Sequence, residues 1–167
     1  MIDLCTPISL QDITRLRVGD FVSLSGCIFA GRDAVLPKLV QCVKDSRLEE
    51  MGICLEGGAI FHTAVSPAGV GPTSSNKLEI ESSIVPLSRA GVRLHLGKGV
   101  LHPETVKALG SLNAVYAVIP PVTALLGSKT QEQRVIAFPE LGMEAFHELK
   151  VAEYPMVIAV AHGESLY

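Results

Sequence analysis

The chain has 167 residues, enough for one domain, 1–167, with a core that needs neither disulfides nor a metal to hold it. Hydrophobic residues make up 48% and charged residues only 19%, and the formal net charge is -3. This weakly acidic balance, with no dense basic stripe, excludes a nucleic-acid partner, and the longest apolar stretch, Ala114 to Gly127, is broken by Pro120 and Pro121 and is too short to span a membrane.

A chain with few charges and a mean hydropathy of +0.38 is expected to hide apolar surface in an obligate complex. No basic segment followed by an apolar one opens the sequence, so a cytoplasmic location is expected. Cys5, Cys27, Cys42 and Cys54 are widely spaced, with no C-x-x-C pair or Cys/His cluster, and read as buried reduced thiols with no metal role. Five Phe, three Tyr and no Trp give an aliphatic core and no stacking platform for bases.

In chain order, Met1 to Leu10 reads as a short strand, and Ser9 with Asp12 marks the N-cap of a brief helix ending near Arg17. Phe21 to Ala30 carries apolar residues on both faces, as a strand buried on both sides would. From Ala34 to about Met51 the apolar spacing predicts a helix, with Pro37 in its first turn. Ala59 to Val65 is a predicted strand, and Ser66 to Lys77 is a loop rich in Gly, Ser, Thr and Pro. A helix over Glu81 to Ala90, stopped by Gly91, precedes a strand at Val92 to Leu96 and a tight turn at Gly97-Lys98-Gly99. The rest reads as helix at His102 to Leu109, strand at Ala114 to Ile119, strand at Val135 to Phe138, helix at Gly142 to Leu149 and strand at Met156 to Ala161. Alternating strands and helices indicate an α/β domain with a mostly parallel sheet.

Three loops place small residues around a cation or hydroxyl: Gly31-Arg32-Asp33, Gly71 to Lys77, and Gly97-Lys98-Gly99. Each adjoins a predicted strand end, where open α/β sheets place their ligands, and glycine lets an anion approach the backbone. One such loop is a turn with a solvated charge; three with the same chemistry match a substrate bearing two or more carboxylates. Gly71 to Lys77 lacks the order of a phosphate-binding P-loop, and neither G-x-G-x-x-G nor G-x-S-x-G is present, so nucleotide binding and a hydrolase triad have no support. The five histidines, with no H-x-x-x-H or paired acid beside them, read as core or surface residues.

Val18-Gly19-Asp20, Leu24-Ser25-Gly26, Gly31-Arg32-Asp33, Gly71-Pro72-Thr73-Ser74-Ser75, Gly97-Lys98-Gly99 and Glu140-Leu141-Gly142-Met143-Glu144 through Ser165-Leu166-Tyr167 occur in that order. In this the chain resembles the beta subunit of class I fumarate hydratase and tartrate dehydratase, from about residue 3 to its end. The resemblance implies a swivelling three-layer β/β/α domain with a mostly parallel central sheet. It also implies a hydro-lyase that reversibly hydrates fumarate to L-malate. A four-iron, four-sulfur cluster would be held by cysteines of a partner alpha subunit and not by this chain. By motif position Thr73 is the candidate for removing the proton beside a carboxylate, and Arg32, Lys77 and Lys98 are candidates for the carboxylate clamp. Lys77 stands where the family usually has arginine, which exchanges a bidentate fork for a point charge. The expected assembly is a homodimer of this chain within a heterotetramer with alpha subunits. A tartrate dehydratase beta subunit and a non-catalytic dicarboxylate-binding swivelling domain are the alternatives.

Overall fold

The computed structural model of the chain describes residues 1–66, 69–70, 77–120 and 123–167. Ten strands and five helices are described: β1 (Ile2–Cys5), α1 (Leu10–Arg15), β2 (Phe21–Ala30), α2 (Leu36–Lys44), β3 (Ala59–Phe61), β4 (Val65–Ser66), β5 (Gly69–Val70), α3 (Lys77–Arg89), β6 (Leu94–Gly97), α4 (Pro103–Ser111), β7 (Val115–Val118), α5 (Thr123–Ser128), β8 (Thr130–Ala137), β9 (Phe146–Ala161) and β10 (Glu164–Ser165). A 3-10 segment, Pro139–Glu144, joins β8 to β9.

Local chemistry accounts for the helix starts. The Ser9 hydroxyl accepts from the Asp12 N–H at 3.1 Å while the Asp12 carboxylate accepts from the Ser9 N–H at 3.1 Å, a reciprocal capping box that begins α1 where the sequence predicts it. Pro37 and Pro103 occupy first-turn positions in α2 and α4, where a missing N–H costs nothing. Helix α3 starts four residues before the expected Glu81 and carries Pro86 inside it.

The structure bears out a mixed α/β fold but corrects its arrangement. Strands β1–β2, β2–β3, β3–β6 and β6–β7 pair in parallel, whereas β9 pairs antiparallel with β2, β7, β8 and β10. Because β9 bonds both β7 and β2, the strands β2-β3-β6-β7-β9 close on themselves, so the sheet forms a small barrel-like ring where an open, mostly parallel three-layer sheet was expected. The cause is the length of β9, 16 residues, which spans the whole of β2 and still reaches β7. Helix was expected at Gly142 to Leu149. Instead, Gly142 adopts φ 60, ψ -122 in the 3-10 segment, and from Phe146 the chain is strand, with Leu149 and Val151 buried either side of exposed Lys150.

The ring's interior is filled by Val22, Leu24, Ile28, Phe61, Leu94, Leu96, Val115, Tyr154, Met156 and Ile158, with Phe61 and Tyr154 edge to face at 6.2 Å. On the outer face Ile60 packs beneath α2 and α3, and Tyr116 beneath α3 and α4. Strand β2 keeps the predicted bounds but is buried chiefly on its inner face: Phe21 and Cys27 are exposed on the other. Of the cysteines, only Cys42 is buried; Cys5, Cys27 and Cys54 are exposed, because they lie on an outer strand, on that outward face of β2 and in the loop before β3. No helix among the described residues is long and apolar enough to cross a membrane.

Candidate functional site

The parallel strands β2, β3, β6 and β7 all end at one edge of the ring. Backbone hydrogen bonds stitch the segments just beyond them: Gly31 N–H donates to Phe61 O at 3.0 Å, His62 N–H to Leu96 O at 2.9 Å and Ile119 N–H to Gly97 O at 3.2 Å. This edge therefore gathers Arg32, His62 and Lys98, which lie at separated points of the chain. Helix α3 runs back from the same edge to the start of β6, so its first residue, Lys77, opens there too. Thr73 lies outside the described residues.

Arg32 is placed by a crowded glycine. A Cβ on Gly31 would meet Val35 Cγ1 at 2.7 Å and Phe146 Cδ1 at 3.2 Å, so only glycine lets the chain pass between α2 and β9 before Arg32. The Arg32 guanidinium donates through Nε at 2.6 Å to Glu144 Oε1 and through Nη2 to the same oxygen, and Asp33 lies 3.8 Å from Nε. Glu144 arrives from the 3-10 segment because β9 is antiparallel to β2 and begins at this edge. Hydrogen bonding to Glu144 raises the Arg32 pKa further above its ordinary value, so the side chain is a fixed cation.

Lys98 is exposed in the turn after β6, with no ion-pair partner among the described residues. The turn is held by the Tyr116 hydroxyl, which donates to Lys98 O at 2.9 Å, and Gly97 gives that hydroxyl room: a Cβ there would lie 3.1 Å from it. Burial, followed by the charges of Tyr167 and Glu81, pushes the Tyr116 phenol up, so it stays a donor.

Beneath this edge lies a buried chain that the sequence did not disclose. His62 Nε2 is 3.0 Å from His95 Nδ1, His95 Nε2 is 2.8 Å from Ser88 Oγ, and the Ser88 hydroxyl donates to Ile84 O at 2.8 Å on α3. Burial pushes His62 down to about 4, and burial together with His62 holds His95 well below 6.5, so both rings are neutral near pH 7. Among the other histidines, His147 Nδ1 bonds Ala145 O, His162 bonds Leu16 O and His102 caps α4, in keeping with core and surface roles.

The whole sequence, residues 1–167, matches the family described as Fumarase C-terminus. The chain belongs to that family. It is 29% identical to the L(+)-tartrate dehydratase subunit beta of Escherichia coli K12, over 98% of this chain and 85% of that protein. It is 30% identical to the putative L(+)-tartrate dehydratase subunit beta of Methanocaldococcus jannaschii, over 94% of this chain and 86% of the relative. A putative fumarate hydratase class I of Geobacillus stearothermophilus is 27% identical over 100% of this chain, which there corresponds to 34% of the protein. This member of the Fumarase C-terminus family is accordingly a beta-subunit-type domain. Among its described residues no group of three His, Cys, Asp or Glu is placed to hold a metal ion.

Proposed function

We propose that this chain is the beta subunit of an iron-sulfur-dependent hydro-lyase that interconverts fumarate and L-malate. The observation that carries the reading is the gathering of Arg32, Lys98 and the start of α3 at Lys77 on one edge of the ring, which suits a small ligand with two carboxylates. The names of the relatives favour a second substrate of the same class, L-tartrate, which differs from malate by one further hydroxyl.

In this reading the iron-sulfur cluster is held by a partner alpha subunit, most simply in a heterotetramer built on a dimer of this chain. When bound, the cluster supplies a Lewis acid for the substrate hydroxyl. The work of this chain is then binding and proton movement. Arg32 meets a carboxylate with a guanidinium whose plane is fixed by Glu144, and Lys98 and Lys77 supply point charges for the second carboxylate. Thr73, four positions before Lys77 in the sequence, removes the proton beside that carboxylate, with a partner group accepting its hydroxyl proton.

Steady-state kinetics on the complex reconstituted with an alpha subunit test these roles. Thr73→Ala should lower kcat strongly and leave KM within a small factor, since only a transition-state interaction is lost. Arg32→Ala should raise KM by about 10- to 150-fold through a lost charge-assisted contact. Normal kcat in Thr73→Ala would remove Thr73 from the mechanism.

A further inference from the structure

The direction of every hydrogen bond in the His62-His95-Ser88 chain follows from its far end. Ile84 O can only accept, so the 2.8 Å contact to it uses the one proton of the Ser88 hydroxyl. Ser88 Oγ must then accept from His95, which places the His95 proton on Nε2. His95 Nδ1 is left with its lone pair and accepts from His62 Nε2–H, and the neutral His62 ring therefore bears a bare lone pair on Nδ1. That nitrogen is buried and has no hydrogen-bond partner among the described residues. The two nitrogens of an imidazole face in nearly opposite directions, so Nδ1 faces away from β6 while Nε2 reaches toward it. His62 is the first residue past β3, and the preceding carbonyl, Phe61 O, is bonded by Gly31, next to Arg32.

We infer that His62 Nδ1 is the acceptor for a hydroxyl of the ligand, a specificity-determining contact beside the Arg32 carboxylate contact. The inference rests on the functional reading above and narrows its substrate class to hydroxy-dicarboxylates. A lone pair fixed on Nδ1 repels a carboxylate and welcomes an O–H donor, so the ligand's carboxylates are sorted to Arg32 and its hydroxyl to His62. Ser88 and His95 act as positioning residues: they hold the proton on Nε2 and so keep Nδ1 an acceptor. Burying such an acceptor unpaired costs free energy, and a ligand hydroxyl recovers it.

The test uses the complex reconstituted with an alpha subunit and four probes: L-malate and L-tartrate, which carry hydroxyls, and fumarate and succinate, which do not. His62→Phe should raise KM for malate and tartrate by about 3- to 10-fold, the worth of one neutral hydrogen bond, while KM for fumarate and Ki for succinate stay within about twofold. His62→Asn, which returns an acceptor near the position of Nδ1, should recover part of the malate loss. Equal weakening of all four probes in His62→Phe, or no weakening of any, overturns the inference. If His62→Phe does not fold, nitrogen-15 spectra of the unaltered complex decide the question. The His62 Nδ1 resonance should be that of an unprotonated ring nitrogen and should move on adding L-malate but not succinate. A protonated Nδ1, or a signal indifferent to malate, overturns the inference. Wild-type complex that binds none of the four probes would instead sink the functional reading.

Discussion

Acid should loosen this fold through its buried histidine pair. Burial holds His62 near about 4 instead of 6.5 and keeps His95 well below 6.5, whereas in the unfolded chain both rings take up protons at the ordinary histidine value. Below 6.5 the unfolded state therefore binds more protons than the folded one, and the contribution of His62 falls with pH until its ring protonates in the folded state near about 4. For His62 alone the linkage comes to about 2 kcal/mol lost between pH 7 and pH 5, and about 3 kcal/mol by pH 4. His95 adds to the loss in the same direction. Asp12, whose carboxyl is held below 3.8 chiefly by the Ser9 N–H of the capping box, contributes only at still lower pH. In a chain of this size 2 kcal/mol corresponds to a fall in Tm of about 4 to 8 °C. Thermal melts of the wild type and of His62→Phe at pH 7 and pH 5 read this out, because the variant has one fewer group to protonate. Equal falls in Tm for the two proteins would refute the reasoning.

Gly31→Ala should destabilise the fold by about 1 to 3 kcal/mol, visible in urea midpoints, because its Cβ would sit 2.7 Å from Val35 Cγ1 in a packed layer. Tyr116→Phe removes the donor 2.9 Å from Lys98 O and should cost about 1 kcal/mol of stability while raising KM for the dicarboxylate a few-fold, as the Lys98 turn loosens. Arg32→Lys keeps the charge but loses the fork engaged by Glu144 and should raise KM about 10-fold with kcat little changed, as checked by steady-state kinetics. Lys77→Arg should keep fumarate turnover if lysine is a tolerated replacement, and a shifted ratio of fumarate to tartrate turnover would make Lys77 a determinant of substrate choice.

What the sequence disclosed was local. The Ser9/Asp12 box, the bounds of β2 and the proline-led starts of α2 and α4 depend on residues within a turn or a strand of one another. The long β9 was not legible in full, because Phe146 and Leu149 share helical spacing and the strand alternation around Lys150 acquires meaning only once β2 and β8 flank it. The glycine-flanked cations Arg32 and Lys98 announced themselves in single loops. Glu144 did not, since it meets Arg32 across 112 positions of sequence and only through the antiparallel return of β9. The His62-His95 contact likewise depends on the register of β3 against β6, which pairs Ile60 with His95, and no pattern within either strand encodes it.

The most direct measurement compares hydration of fumarate, and dehydration of L-malate and L-tartrate, by three preparations: this chain alone, a cluster-bearing alpha subunit alone, and the two combined without oxygen. If the chain completes a hydro-lyase whose cluster lies elsewhere, it is colourless and inactive by itself and turnover of at least one of these substrates appears on mixing. Turnover by this chain alone, or full turnover by the alpha subunit without it, would contradict that account.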